Sequence, residues 1–167
     1  KIEDLIHSAQ FATVKEELAL WAAIDEPDVL EGMYLCAKYN YPTLKLADLK
    51  FLVRELALNA AEFHDNKTHP YEQIRTLNKY VFNKIQFKPD RKSFHNPKNS
   101  FINIVLESKF GNPLSLSVVY MLVAQQLGIP VYGVNFPNLF IVTYKDNDTQ
   151  FYINVHNNGL IFTKEDI

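Results

Sequence analysis

The chain has 167 residues, 47% of them hydrophobic and 13% aromatic, and a formal net charge of -2. That length fits one domain with enough apolar material for a core. The charge balance argues against a nucleic-acid binder, which carries a basic domain or stripe.

Residues 2–23 show helical periodicity, with Leu5, Phe11, Val14, Leu18 and Trp21 or Ala22 at three- and four-residue spacing. Asp25-Glu26-Pro27 interrupts the run, and Pro27 with Asp28 can start a second helix that stops near Asn40. Asn40-Tyr41-Pro42 is a turn, because the residue before proline is pushed out of helical geometry. Thr43 is expected to cap a long helix from Leu44 to about His64. After a polar loop, Pro70 opens another, with Ile74, Leu77, Tyr80 or Val81 and Ile85 on its buried face.

From Gln86 to Ser100 the periodicity is lost, and Lys88-Pro89-Asp90, Asn96-Pro97 and Asn99 are turn chemistry. Long ordered loops of this kind are often functional. Arg91 and Lys92, with Lys84, Lys88 and Lys98 nearby, form the only basic cluster, and a solvated loop is its expected role. A short helix, 101–109, leads to Gly111.

Residues 112–128 then read as a helix with both ends marked. Asn112 is a good N-cap, Pro113 suits the first helical position, Gly128 can close the helix and Pro130 blocks its continuation. Leu114, Leu116, Val118 to Ala124 and Leu127 cover every face, broken only by Ser115, Ser117, Gln125 and Gln126. A helix apolar on all sides is buried. This one is shorter than the roughly 20 apolar residues of a membrane span, so no membrane association is expected. Beyond Pro130 the pattern turns to strands at 131–136, 139–144, 151–155 and 160–162. Tight-turn sequences at Asp146-Asn147-Asp148 and Asn157-Asn158-Gly159 imply an antiparallel meander on the central helix. A sheet ending beside Ile167 would leave an open edge, so the natural chain is expected to continue.

The Gly-x-x opening of the buried helix, the Leu127-Gly128-Ile129-Pro130 ending, and the Phe136-Pro137-x-x-Phe140 strand resemble the core of the transglutaminase-like superfamily. The closer resemblance is to its bacterial SirB-type branch, in which helices precede that core. Tyr41-Pro42-Thr43-Leu44, Asn96-Pro97-Lys98-Asn99-Ser100-Phe101 and Asn154-Val155-His156-Asn157 extend the likeness from about Asn40 to Gly159. The resemblance implies an α+β fold: a helical N-terminal region, 1–85, and a transglutaminase-like, papain-like core, 86–167, as parts of one compact unit.

An active core of this superfamily uses a cysteine at the start of the buried helix, a histidine on a following strand and an aspartate one strand later. Carried over, these positions fall at Pro113, Leu139 and Asn154. None supplies a thiolate, a proton acceptor or a charge. No catalytic residue is therefore expected. Ser115 and His156 remain as residual candidates for a rearranged hydrolase or acyltransferase site with Asn154, against the expectation of backbone hydrogen bonding for the serine and solvation for the histidine. Cys36, the single cysteine, excludes an internal disulfide, favours a reducing, cytoplasmic setting, and is expected to be a small buried apolar group. His64, Asp65 and His69 lack the convergence a metal site needs, so no metal or cofactor is expected. The strand aromatics Phe136, Phe140, Tyr144, Phe151, Tyr152 and Phe162 are expected to pack between sheet and helix. The functional expectation is a regulatory or interaction module. Its groove would be formed by Asn112, Ser115, Tyr120, Asn138, Leu139, Asn154 and His156 and would take a protein or peptide, or alternatively a small molecule.

Overall fold

A computed structural model describes residues 2–136 and 139–166, with the side chains of Glu3, Asp4, Leu5, His7 and Leu139 outside the described set. Four helical segments come first: α1 (Ile2–Ala22), α2 (Val29–Lys38), α3 (Leu46–Ala61) and α4 (Pro70–Asn78), which runs on into a π-helical turn at Lys79–Lys84. A two-residue strand β1 (Lys88–Pro89), a 3-10 turn (Pro97–Ser100), α5 (Ile102–Ser108) and β2 (Phe110–Gly111) lead to α6 (Pro113–Gln126). The strands β3 (Val131–Phe136), β4 (Leu139–Lys145), β5 (Gln150–Asn154) and β6 (Leu160–Phe162) follow. They form a sheet in the order β3-β4-β5-β6, antiparallel throughout. The fold is α+β, as the sequence pattern implies.

The helix caps follow local chemistry, with one correction. The Asp28 side chain accepts from the Glu31 amide at the start of α2. The expected Thr43 cap is not used: α3 starts two residues later than predicted, from Lys45, with no side-chain cap. At the far end of α6, Gly128 adopts φ +74° and the Ile129 amide donates to the Ala124 carbonyl. That left-handed closure is cheap only for glycine.

Helix α6 is the centre of the molecule. It packs on α3 and α2 on one side and on β3 and β4 on the other. Leu116, Val119, Tyr120, Val123 and Ala124 are all at most 1% exposed. They join Leu49, Val53 and Ile74 from the helices and Val142, Phe151 and Ile153 from the sheet in a single core. Burying an aliphatic side chain of this size contributes about 1.5–3 kcal/mol.

The two-residue period of the strands divides the aromatics that the sequence placed together. Tyr144 pairs with Phe151 across the β4–β5 ladder, and their rings stack at 5.0 Å beneath Tyr71 of α4, itself 4.3 Å from Phe151. Phe136, Tyr152 and Phe162 form a row on the opposite face, at 5.9 and 5.6 Å. Only the first set serves the helix–sheet core. For Phe136, Tyr152 and Phe162 the expectation of packing against the helix is corrected, because alternate strand residues point to opposite faces.

A buried polar link ties the two halves. Tyr120 Oη donates to Asn78 Oδ1 at 2.8 Å, and Asn78 Nδ2 donates to the Gly159 carbonyl at 2.8 Å. Gly159 has φ +74°, and a Cβ there would lie 2.2 Å from Asn78 Oδ1. Burial pushes the Tyr120 phenol far above its ordinary range, so it stays a neutral donor. Asn78→Ala should lower stability by about 1–3 kcal/mol in urea unfolding, the cost of orphaning a buried hydroxyl. Adding Tyr120→Phe should return part of that loss. Strictly additive losses would show that the link carries no coupling.

Candidate functional site

The N-terminus of α6 is where the expected site residues can be tested against geometry. Asn112 caps the helix: its Oδ1 accepts from the Ser115 amide at 2.9 Å, and Ser115 Oγ accepts from the Asn112 amide at 3.0 Å. This reciprocal capping box satisfies both orphan donors. The Ser115 hydroxyl also donates to the Asn99 carbonyl at 2.6 Å. The same carbonyl accepts the Asn112 amide at 3.2 Å. Ser115 is 1% exposed. Its proton goes to backbone carbonyl oxygen and its oxygen accepts a backbone amide, and His156 is not among its partners.

Asn99 organises the loop that covers this helix end. It is buried, and its Nδ2 donates to the Ser93 and Phe94 carbonyls at 2.9 and 3.4 Å. The loop start is fixed by the parallel pair β1–β2, with the Lys88 amide donating to the Lys109 carbonyl and the Asp90 amide to that of Gly111. Sequence reasoning identified the turn residues here but not this pairing. A two-residue strand ending in proline carries no periodic signal.

Beside the cap lies an apolar cleft of about 380 Å³ lined by Phe94, Pro97, Asn112, Pro113, Leu114 and Phe140, with His95, Asn96 and Ser100. Pro113 and Phe140 of β4 therefore line one depression. The β4 side chain that lines it among the described residues is Phe140. Leu114 is 46% exposed and Phe94 47% exposed, so the wall is apolar and open to solvent.

The other expected groove residues separate. Tyr120 is 0% exposed, which corrects its placement on a groove: it faces the Asn78 link inside the core. Asn138 lies outside the described residues, and of Leu139 only the backbone is described, opposite Phe136 in the β3–β4 ladder. Asn154 caps a 3-10 turn, its Oδ1 accepting from the Asn157 amide at 3.1 Å. His156 follows in that turn, with its ring 6.3 Å from Phe94 and its buried Nδ1 without a partner. Its expected solvation is thus incomplete, and desolvation, aided by the nearby Arg91 cation, holds its pKa below the ordinary imidazole value. Cys36 is exposed on α2, correcting its expected burial: the buried positions of that helix are Leu30, Gly32, Leu35 and Ala37. Crowding that limits hydration pushes its thiol pKa up, away from a reactive thiolate. Among the described residues, no group of three His, Cys, Asp or Glu side chains could hold a metal ion, and no helix is long and apolar enough to cross a membrane.

A family model described as the transglutaminase-like superfamily matches residues 45–167. A UPF0162 protein of Xylella fastidiosa is 30% identical over 156 residues, covering 90% of this chain and 55% of its own length. A UPF0162 protein of Vibrio cholerae is 25% identical over 142 residues, covering 82% of this chain and 51% of its own length. F-box only protein 21 of Mus musculus is 35% identical over 71 residues, 42% of this chain and 11% of that protein. The chain thus spans about half the length of the UPF0162 relatives it matches. No solved structure matches it.

The geometry makes Ser115 a structural residue with a measurable cost. Ser115→Ala should destabilise the fold by about 1–3 kcal/mol, because it removes the buried hydroxyl that donates to the Asn99 carbonyl and closes the capping box with the Asn112 amide. Asn112→Ala should cost about 1 kcal/mol, the ordinary value of an N-cap. Chemical unfolding measures both, and a neutral Ser115→Ala would contradict the assignment.

Proposed function

The chain belongs to the transglutaminase-like superfamily, and from that premise we propose that it acts as a non-catalytic interaction module of the SirB-type branch. The superfamily's depression at the head of the buried helix becomes an apolar seat for a protein or peptide. The observation that carries this reading is the cleft wall itself. Where acyl transfer needs a nucleophile held against a base, the wall is Pro113, Leu114, Phe140 and Phe94, and the Ser100 hydroxyl that also lines the cleft accepts from Asn112 Nδ2 and makes no hydrogen bond to His95. The four apolar wall residues carry no group that exchanges a proton.

The hydroxyl of the first turn of α6, on Ser115, is already donated to the Asn99 carbonyl. A serine nucleophile needs a base within about 3 Å of its oxygen, and the partners of Ser115 Oγ are the Asn99 and Asn112 backbone groups. Exposed apolar side chains around a depression are what the centre of a binding interface uses, with polar groups at the rim. Asn112, Ser100 and Asn96 supply that rim here. A regulatory setting in the bacterial cytoplasm fits the branch.

The test compares wild type with Leu114→Asp in capture of binding proteins from the source cell, using the full-length protein. Leu114 is exposed, so the charge leaves the core intact. A partner retained by wild type and lost by about tenfold or more with Leu114→Asp supports the cleft as the seat. Equal recovery by both proteins removes it.

A further inference from the structure

The basic residues of the 86–100 loop are exposed, as expected of a solvated loop, and they gather around one depression. Lys88, Arg91, Lys92 and Lys98 line one groove of about 760 Å³, together with Asp90, Ser93, Asn96, Asn99, Ser108 and Asn158. That size falls within the range of sites that hold sizeable ligands. The side chains of Ile104 and Phe110 give the groove an apolar portion, and Phe110 is 39% exposed. Four cations thus face one carboxylate in a chain whose net charge is -2. None of the four forms an ion pair with another described residue. Lys88 lies 5.0 Å from the Phe110 ring centroid, a contact that leaves its charge available.

The frame of the groove is preformed. The β1–β2 pair fixes one side. Asp90 Oδ1 accepts the amides of Lys92 and Ser93, and the Asn99 side chain holds the Ser93 carbonyl. These bonds also decide the kind of anion that fits. A phosphate cradle is built from free backbone amides converging on one point. Here the Arg91 amide donates to Pro89, those of Lys92 and Ser93 to Asp90, that of Lys98 to Asn96 Oδ1 and that of Asn99 to the Asn96 carbonyl. The loop amides that line the groove are consumed internally. What remains for a ligand is a set of separate, flexible side-chain cations around an apolar floor.

We propose that this groove is a binding site for an acidic peptide segment: carboxylates pair with Arg91, Lys92, Lys98 and Lys88, and an apolar side chain rests on Ile104 and Phe110. The proposal rests on the reading of the chain as an interaction module and names the chemistry of its partner. The groove and the apolar cleft share Asn96 and Asn99's loop, so one partner strand can cross from one to the other. Nucleic acid fits less well, since a duplex meets a chain of net negative charge and finds no continuous basic stripe.

The probe is a fluorescein-labelled peptide of glutamates around a central leucine, titrated with the full chain and followed by fluorescence polarisation. Saturable binding is expected, weakening steeply with salt and falling about tenfold or more in the Arg91→Glu, Lys92→Glu double variant. Both residues are exposed, so an unchanged melting temperature confirms that the fold is retained. The same peptide with glutamine for glutamate should not bind. Equal binding by the double variant, or by the glutamine peptide, overturns the proposal. So does tripolyphosphate competing more strongly than the unlabelled acidic peptide, which would make the groove a phosphate site. Leu114→Asp separates the two readings: peptide binding that survives it while source-cell capture is unchanged leaves the basic groove standing and the cleft refuted.

Discussion

The carbonyl oxygen of Asn99 holds the covering loop to the head of the central helix. It accepts from the Asn112 amide and from the Ser115 hydroxyl at the head of α6. One acceptor thus anchors the covering loop to the central helix and takes up the only hydroxyl of the first helical turn that could have been a nucleophile. The lock is buried, where a hydrogen bond is electrostatically stronger and an unmade one is costly. The loop it fixes lines both the apolar cleft and the basic groove. Both shapes depend on it.

The second constraint is the apolarity of α6 on every face. Such a helix needs cover on all sides, and the chain supplies it with α2 and α3 on one flank and the four-stranded meander on the other. The helical region and the sheet therefore share a core. The Tyr120–Asn78–Gly159 link fixes how they meet, because a buried phenol must find a partner. The head of the buried helix meets β4 at Pro113, Leu114 and Phe140.

Much of this was legible in the residues. Asn112, Pro113 and Gly128 marked α6 at both ends, and β-branched and aromatic runs marked all four strands of the sheet. These signals are local: caps, fixed dihedrals and a period of two. What stayed hidden was set by contacts distant in sequence. Nothing near Tyr120 says that it turns toward Asn78, 42 residues away, rather than toward a groove. Likewise, the Ser115 bond to Asn99 spans 16 residues. Thr43 carried the right chemistry for a cap, but helix α3 began beyond its reach. The basic cluster was visible as composition, while its gathering around one groove depended on the β1–β2 pair, which is too short to leave a pattern.

The central claim is that the head of α6 binds without forming a covalent bond. The most direct measurement incubates the full chain with an electrophilic acyl donor and a labelled amine acceptor, then reads intact mass and product. An unmodified protein mass and no transfer above the buffer background are expected. A stable adduct on Ser115, or turnover that disappears in Ser115→Ala while the fold is retained, would contradict it.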